Sequence, residues 1–143
     1  MTLVVDSSVA FKWFVSDEPY ADEARAVVRD GGPLLAPDIL VAEVCNAAWR
    51  SARLGRIEPA QLAAMATGIA LFFDELVAAA ALAPRAAVIA RQLDHPVYDC
   101  LYVALAEARQ VTFVSADARL VAKLQGTQWA AATAFLADYR GGI

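Results

Sequence analysis

The sequence of 143 residues has few of the residues on which many catalytic sites depend. It contains one histidine, His95, so a histidine-based catalytic triad or a zinc site is not expected, and we interpret His95 as a loop residue beside Pro96. It contains two cysteines, Cys45 and Cys100, both inside helical patterns, which favours reduced thiols over a disulfide. It also has no glycine-rich phosphate loop of the Walker or dinucleotide-binding type.

Long apolar runs and an excess of positive charge are absent as well. The longest weakly charged stretch, residues 57–83, is interrupted by acids and a proline, which predicts buried elements and no membrane span. The first residues have neither a basic region nor a cleavage-site pattern, so we expect no signal peptide and a cytoplasmic location. The formal net charge of −4 excludes binding to nucleic acid through bulk electrostatics. Any such contact must be local or bridged by metal ions.

The sequence does contain a regular alternation of apolar strands and helices, and 59% of its residues are hydrophobic. We therefore predict one α/β domain over residues 1–143, with a short parallel sheet flanked by helices. The predicted strands cover residues 3–5, 34–36, 111–115, 126–129 and 76–82, with helix as the alternative for the last of these. The predicted helices cover residues 9–15, 19–29, 38–54, 60–73, 84–93, 98–106, 120–124 and 131–139, and the chain then ends with Gly141-Gly142 and Ile143.

The first strand runs directly into an aspartate. Leu3, Val4 and Val5 are apolar without alternation, which is typical of a strand buried on both faces in the centre of a parallel sheet. Asp6 follows at the carboxyl end of the strand, where open α/β sheets bind ligands. A carboxylate there is poorly solvated and needs a cation, a hydrogen-bond donor or a proton. Asp6 is either the anchor of a divalent-metal site or the cap of the next helix.

Three further acids occupy comparable positions. Asp117 follows a second apolar strand, Asp99 lies in the first turn of an apolar helix, and Glu43 interrupts the apolar pattern of another helix. If the two strands are adjacent, Asp6 and Asp117 meet at one crevice, where crowded carboxylates need a compensating cation. Oxygen ligands without histidine or cysteine suit Mg²⁺ or Mn²⁺. Such a site can align a phosphodiester and activate water without a protein nucleophile.

Each of these residues also has a purely structural interpretation. Asp6 and Asp117 are suited to cap helices, Asp99 to face a helix dipole, and Glu43 to occupy a solvated helix position. Ser8 and Ser115 are placed either to donate hydrogen bonds to the carboxylates or to end a strand or cap a helix. It is the combination of four acids that favours a metal site.

Positive side chains cluster near the end of the Glu43 helix. Arg50, Arg53 and Arg56, together with Lys12, are candidates for contacts to nucleic-acid phosphates. Arginines near the carboxyl terminus of a helix also stabilise the helix dipole, so both interpretations remain open.

Four segments together resemble the PIN-domain ribonucleases, and most closely the VapC-type toxins of bacterial toxin–antitoxin pairs. They are residues 4–8 (VVDSS), 37–46 (PDILVAEVCN), 98–106 (YDCLYVALA) and 114–117 (VSAD), in the order of the family. Cys100 stands where a small residue is usual, and Ser115 stands where threonine is more common. The resemblance extends over nearly the whole chain.

The resemblance implies a PIN-like three-layer fold and endonucleolytic cleavage of RNA with Mg²⁺ or Mn²⁺. It also implies a homodimer and inhibition by a small antitoxin protein whose tail covers the acidic cleft. Carried over by position, the site consists of Asp6, Glu43, Asp99 and Asp117. In this hypothesis the three aspartates bind the metal, while Glu43 binds a second ion or orients water. The alternative is a non-catalytic PIN-like module that acts only in binding or assembly.

Overall fold

A five-stranded parallel sheet in the order β3-β2-β1-β4-β5 runs through the centre of the computed structural model, which describes residues 1–140. The strands are β1 (Leu3–Val5), β2 (Leu34–Pro37), β3 (Glu75–Val77), β4 (Thr112–Ser115) and β5 (Thr133–Phe135). The α-helices are α1 (Ser7–Ala10), α2 (Ala21–Arg29), α3 (Ile39–Arg53), α4 (Pro59–Gly68), α5 (Ala79–Leu93), α6 (Val97–Arg109) and α7 (Ala118–Leu124). Short 3-10 helices cover Phe11–Trp13, Ile69–Phe72, Ala130–Ala132 and Leu136–Asp138.

The sheet separates two hydrophobic clusters because successive strand side chains point to opposite faces. Val4 and Phe113 belong to the larger cluster, with side chains from α3, α4, α5 and α6. Leu3 and Val5 belong to the smaller one, which also contains Val27 of α2. Helices therefore cover both faces, which is the usual environment of a parallel sheet. The predicted α/β fold, with helical layers on either side of a short sheet, is confirmed.

β1 lies between β2 and β4, so the strand that ends at Asp6 is central. Leu3 is paired with Leu34 on one side and with Thr112 on the other. The register with β4 continues to Val5 and Val114. Because β1 and β4 are parallel neighbours, the residues that follow them leave the sheet at the same edge.

The last part of the chain differs from the prediction. Residues 126–129 do not form a strand, and the helix predicted for residues 131–139 is also wrong. In the structure β5 pairs with β4, with Thr133 opposite Phe113 and Phe135 opposite Ser115. The alanines that favour a helix lie instead in β5 and in the two 3-10 turns on either side of it, because the open edge of β4 offers backbone hydrogen bonds to Thr133–Phe135. Gly141 and Gly142, at which the predicted tail ends, lie outside the described residues.

The helix predicted to begin at Pro84 begins five residues earlier, so Pro84 lies inside α5. Asp38, at the start of α3, accepts a hydrogen bond of 3.0 Å from the backbone N–H of Ala79. This contact satisfies a donor in the first turn of α5. It joins residues 41 positions apart, so no local pattern indicates it. Only the first part of residues 76–82 is a strand.

The weakly charged stretch at residues 57–83 is only partly buried. α4 buries Met65 and leaves all four of its alanines exposed. The prediction of buried elements is therefore wrong for this helix, whose small side chains offer little apolar area to bury. Among residues 1–140, no helix has both the length and the apolar character needed to cross a bilayer.

Candidate active site

Asp6 follows the central strand and caps α1. Its Oδ2 accepts a hydrogen bond of 2.7 Å from the hydroxyl of Ser115. Its Oδ1 accepts longer bonds from the Ser7 hydroxyl, at 3.3 Å, and from the Ser8 backbone N–H, at 3.4 Å. The two interpretations of Asp6 are therefore compatible, because the capping carboxylate also lies in the crevice at the end of the sheet.

The carboxyl group of Asp6 is almost completely buried, with 4% of its residue surface exposed. Burial raises its pKa to about 6, the hydrogen bond from Ser115 opposes the rise, and the nearby charges of Asp99 and Asp117 add to it. A carboxylate in this environment is more easily neutralised, either by a proton or by a cation, than a carboxylate in water.

Asp117 is brought to the site through Ser115. The Ser115 hydroxyl, which donates to Asp6, accepts a hydrogen bond of 3.0 Å from the Asp117 backbone N–H. The Asp117 carboxylate accepts from the backbone N–H groups of Arg119 and Leu120, at 3.0 and 3.2 Å, and so caps α7. Asp117 thus caps a helix and also lies close enough to Asp6 for its charge to raise the pKa of Asp6.

Glu43 projects from α3 towards the same place. Its Oε1 accepts a hydrogen bond of 2.6 Å from the hydroxyl of Tyr102, a side chain of α6 that is completely buried. Burial raises the pKa of Glu43 to about 7, and the charges of Asp6 and Asp99 contribute to the rise. The same surroundings raise the pKa of Tyr102, chiefly through burial, so its hydroxyl remains a donor.

Asp99 lies in the first turn of α6. Its Oδ2 is 2.6 Å from Nε2 of His95, and 27% of its side-chain surface is exposed. Its charge acts on both Asp6 and Glu43. The structure therefore brings Glu43, Asp99 and Asp117 within electrostatic reach of Asp6, although the four acids come from four separate segments.

Ser8 supports the site in a different way from the one expected. Its hydroxyl accepts a hydrogen bond of 3.1 Å from the Ala116 backbone N–H, which ties α1 to the loop after β4. The serine hydroxyl that donates to Asp6 from this turn belongs to Ser7. Ser7 also lowers the pKa of Glu43 through a hydrogen bond, which partly offsets the effect of burial.

Three residues of the site were not anticipated. Ser7 lies directly beside Asp6, and Tyr102 lies three positions after Asp99, so helical spacing places it on the same face of α6. His95 was expected in a loop, and it does lie in one. Its contact with Asp99 was not anticipated, although the four-residue spacing would have suggested it.

No lysine or arginine in residues 1–140 forms an ion pair with any of the four acids. Several partly or fully buried carboxylates without a cationic partner are a donor set that a hard divalent ion would neutralise. No three histidine, cysteine, aspartate or glutamate side chains in this part of the chain are already arranged as a metal-binding group. Mg²⁺ often needs only one or two carboxylates, with water and substrate phosphate as its other ligands, so the residues present fit such an ion.

A cleft of about 760 Å³ opens beside the acids. Its walls include Ser7, Ser8, Glu43 and Ala116 from the site. They also include the positively charged Lys12, Arg50 and Arg56 and the negatively charged Asp17 and Glu18. Lys12 is almost buried and lies 3.6 Å from Glu18. Arg53 is not part of the lining, because its guanidinium lies over the ring of Trp49, 5.7 Å from the ring centre. The cleft therefore carries charges of both signs, and of the four site acids Glu43 is the one in its lining.

Comparisons with known proteins agree with this architecture. The sequence model of the PIN domain matches residues 3–124. Ribonuclease VapC3 of Pyrobaculum aerophilum is 30% identical over 125 residues, which are 86% of this chain and 95% of that protein. The crystal structure of PAE2754 from Pyrobaculum aerophilum superposes with a TM-score of 0.68 at 22% identity, covering 89% of this chain and 82% of that one, and supports the fold. The chain belongs to the PIN domain family.

Proposed function

We propose that this protein is a Mg²⁺- or Mn²⁺-dependent endoribonuclease and a VapC-type toxin. The observation that carries the proposal is the convergence of Glu43, Asp99 and Asp117 on Asp6, with no lysine or arginine of residues 1–140 paired to any of them. Glu43 also lines a cleft that contains three basic side chains. Membership of the PIN domain family and similarity to a protein named a ribonuclease support a nuclease.

In the proposed mechanism Asp6, Asp99 and Asp117 would hold the divalent ion, and Glu43 would orient the attacking water or help to hold a second ion. When bound, such an ion supplies electrostatic stabilisation of the reacting phosphate and lowers the pKa of water. Ser115 holds Asp6 and the backbone of Asp117 in a fixed relation. No side chain has to act as a nucleophile.

The proposal assigns phosphate binding to the basic side chains of the cleft. Lys12 and Arg50 line it and would contact the RNA backbone near the acids. Arg53 would contact RNA only beyond the cleft, at the surface where it covers Trp49. Local contacts of this kind suit a chain with a net charge of −4, because they do not depend on its overall charge.

As a toxin of this type the protein would act on cytoplasmic RNA and would be inhibited by a small VapB-like antitoxin that occupies the cleft. We also propose that it forms a homodimer. Large apolar side chains that remain exposed in the single chain support an interface of some kind: Trp49, Leu54, Leu71, Val88 and Tyr98. Light scattering on the purified protein, alone and with a co-expressed antitoxin, measures both assemblies.

The alternative function is a PIN-like module that binds or assembles without catalysis. Two observations favour it: the acids already have hydrogen-bond partners, and no ready-made metal group is found among the described residues. Titration with Mg²⁺ or Mn²⁺ separates the two functions. A nuclease site should bind the ion and raise the melting temperature at millimolar concentration, whereas a module should not respond.

The direct test is cleavage of RNA with Mn²⁺, with and without EDTA, followed by sequencing of the cut ends. We expect internal cuts that disappear with EDTA and with the Asp6→Asn variant. Undiminished cleavage by that variant, after contaminating nucleases are excluded, would refute the assignment of the site.

A further inference from the structure

His95 is held firmly in the segment between α5 and α6. The backbone N–H of His95 donates to the carbonyl of Ala90 at 3.1 Å, and the thiol of Cys100 donates to the carbonyl oxygen of His95 at 3.9 Å. Pro96 follows it and begins the approach to α6. Only 10% of the side-chain surface of His95 is exposed. A histidine fixed at both its backbone and its ring is not an ordinary loop residue.

The two ring nitrogens of His95 have different surroundings. Nε2 is 2.6 Å from Oδ2 of Asp99, whereas Nδ1 is buried and has no hydrogen-bond partner among residues 1–140. An ionised carboxylate accepts hydrogen bonds but donates none, so the proton of the shared contact belongs on Nε2. A proton on Nδ1 would be a buried donor without an acceptor, which is costly. The geometry therefore places a proton on Nε2, the nitrogen that faces Asp99.

The contact also distinguishes the two oxygens of Asp99. Oδ2 is occupied by His95, while Oδ1 has no hydrogen-bond donor among the described residues. The ring thus restricts rotation of the carboxyl group and leaves one oxygen available. Groups that orient a metal ligand in this way typically change metal affinity or activity by about 10–100-fold when they are removed.

We propose that His95 is a positioning residue that donates its Nε2 proton to Asp99 and so holds this carboxylate ready for a divalent ion. The inference rests on the proposed function, because it assigns a purpose to the orientation of Asp99. His95 itself does not touch the substrate in this account. It acts by keeping Asp99 in the orientation in which Oδ1 remains available.

The tautomer can be measured directly, because His95 is the only histidine of the chain. In protein without a histidine tag, labelled with ¹⁵N-histidine and kept in EDTA near neutral pH, one imidazole gives one pair of nitrogen resonances. We expect a ring that carries a proton on Nε2. A ring protonated only at Nδ1, or a mixture of tautomers such as free histidine shows, would overturn the inference whether or not the protein binds metal.

The positioning role is tested by two variants and Mn²⁺ binding measured by calorimetry. His95→Gln places an amide donor near the position of Nε2, whereas His95→Leu fills similar space without a donor. We expect His95→Leu to raise the Kd for Mn²⁺ by about 10-fold and His95→Gln by less than about 3-fold. Melting curves report whether each variant is folded. Equal Mn²⁺ affinity of the wild type and both variants would overturn the inference. An equal loss of Mn²⁺ affinity in the two folded variants would overturn it as well.

Failure of the proposed function gives a different result. If the wild-type protein binds no Mn²⁺, the metal site is contradicted and this inference with it, before any variant is compared. If the wild-type protein binds Mn²⁺ and only the variants behave unexpectedly, the proposed function stands and the role of His95 does not. If His95→Leu does not fold, the Mn²⁺ affinity of His95→Gln and the tautomer of the wild-type protein decide the question. A large loss of Mn²⁺ affinity in His95→Gln, or a wild-type ring without a proton on Nε2, rejects the role of His95.

Discussion

The hydroxyl of Tyr102 donates a hydrogen bond of 2.6 Å to Glu43, and the two residues are 59 positions apart in the chain. Tyr102 is completely buried between α6 and the sheet, so its ring has little freedom to move. The contact fixes the position of a carboxylate that otherwise projects from α3 towards an open cleft. It also joins two of the helices that supply acids to the site.

Tyr102→Phe removes this hydrogen bond and keeps the packing of the ring. We expect kcat for RNA cleavage to fall by about 10-fold with little change in KM, because Glu43 is then free to rotate. The free energy of unfolding should fall by about 1 kcal/mol, the usual value of one hydrogen bond. Steady-state kinetics and urea denaturation measure both effects. Tyr20→Phe, at a half-exposed position, is the control, and a kcat equal to that of the control would contradict the prediction.

Asp6→Asn should abolish cleavage and yet stabilise the metal-free protein near pH 7. The pKa of Asp6 rises from 3.8 to about 6 in the folded state, chiefly through burial. Between these values the folded protein binds more protons than the unfolded chain, so wild-type stability decreases as pH rises through this window. Asparagine does not ionise, so the variant avoids a loss of unfolding free energy of about 3 kcal/mol at pH 7.

The measurement for Asp6→Asn is urea denaturation in EDTA from about pH 4 to about pH 7. The stability gain should be largest near pH 7 and disappear near pH 4, where Asp6 is protonated in both states. Asp22→Asn removes an exposed acid and serves as the control. A gain that does not depend on pH would show that the buried charge is not its cause.

Ser115→Ala should weaken the connection between the two central strands. The buried hydroxyl donates to Asp6 and accepts from the backbone of Asp117. Its removal leaves a buried acceptor and a donor without their partner, which costs about 1–3 kcal/mol of unfolding free energy. Thermal and urea denaturation measure this loss. Ser16→Ala, in an exposed turn, should have almost no effect, and equal stability of the two variants would contradict the described network.

Arg50→Ala and Arg53→Ala form a matched pair, one turn apart on α3 and of equal charge. Arg50 lines the cleft, whereas Arg53 lies over Trp49. We expect Arg50→Ala to raise KM for RNA several-fold and to reduce the slope of log K against log salt by about 0.7, the value for one phosphate contact on a single strand. Arg53→Ala should change KM and the salt slope less than Arg50→Ala does. A larger change in KM or in the salt slope from Arg53→Ala, measured at several salt concentrations, would contradict this prediction.

The parts of the site that could be predicted from the sequence are those with a local signal. Asp6 and Asp117 each follow a short apolar strand, and parallel strands that neighbour each other deliver such residues to one edge of the sheet. Glu43 and Asp99 stood out because each is an acid in an apolar helix. That the four converge depends on the packing of α3 and α6 against the sheet, for which family resemblance was the only guide.

The contacts that orient these acids could not be predicted in the same way. Glu43 meets Tyr102 across 59 positions, and Ser115 meets Asp6 across 109. Such pairs are set by tertiary packing and leave no periodic pattern. The prediction for the end of the chain is wrong for a related reason. An alanine-rich segment has helical propensity, but pairing with the free edge of β4 determines its conformation.

The most direct test of the central claim, that these four carboxylates form one divalent-metal site, is a crystal of the wild-type protein soaked in Mn²⁺ and measured for anomalous scattering. We predict an anomalous peak in contact with the carboxylates of Asp6 and Asp99, and none there in crystals of the folded Asp6→Asn variant. A wild-type map without a peak at these oxygens, or with the same peak in the variant, would contradict the claim.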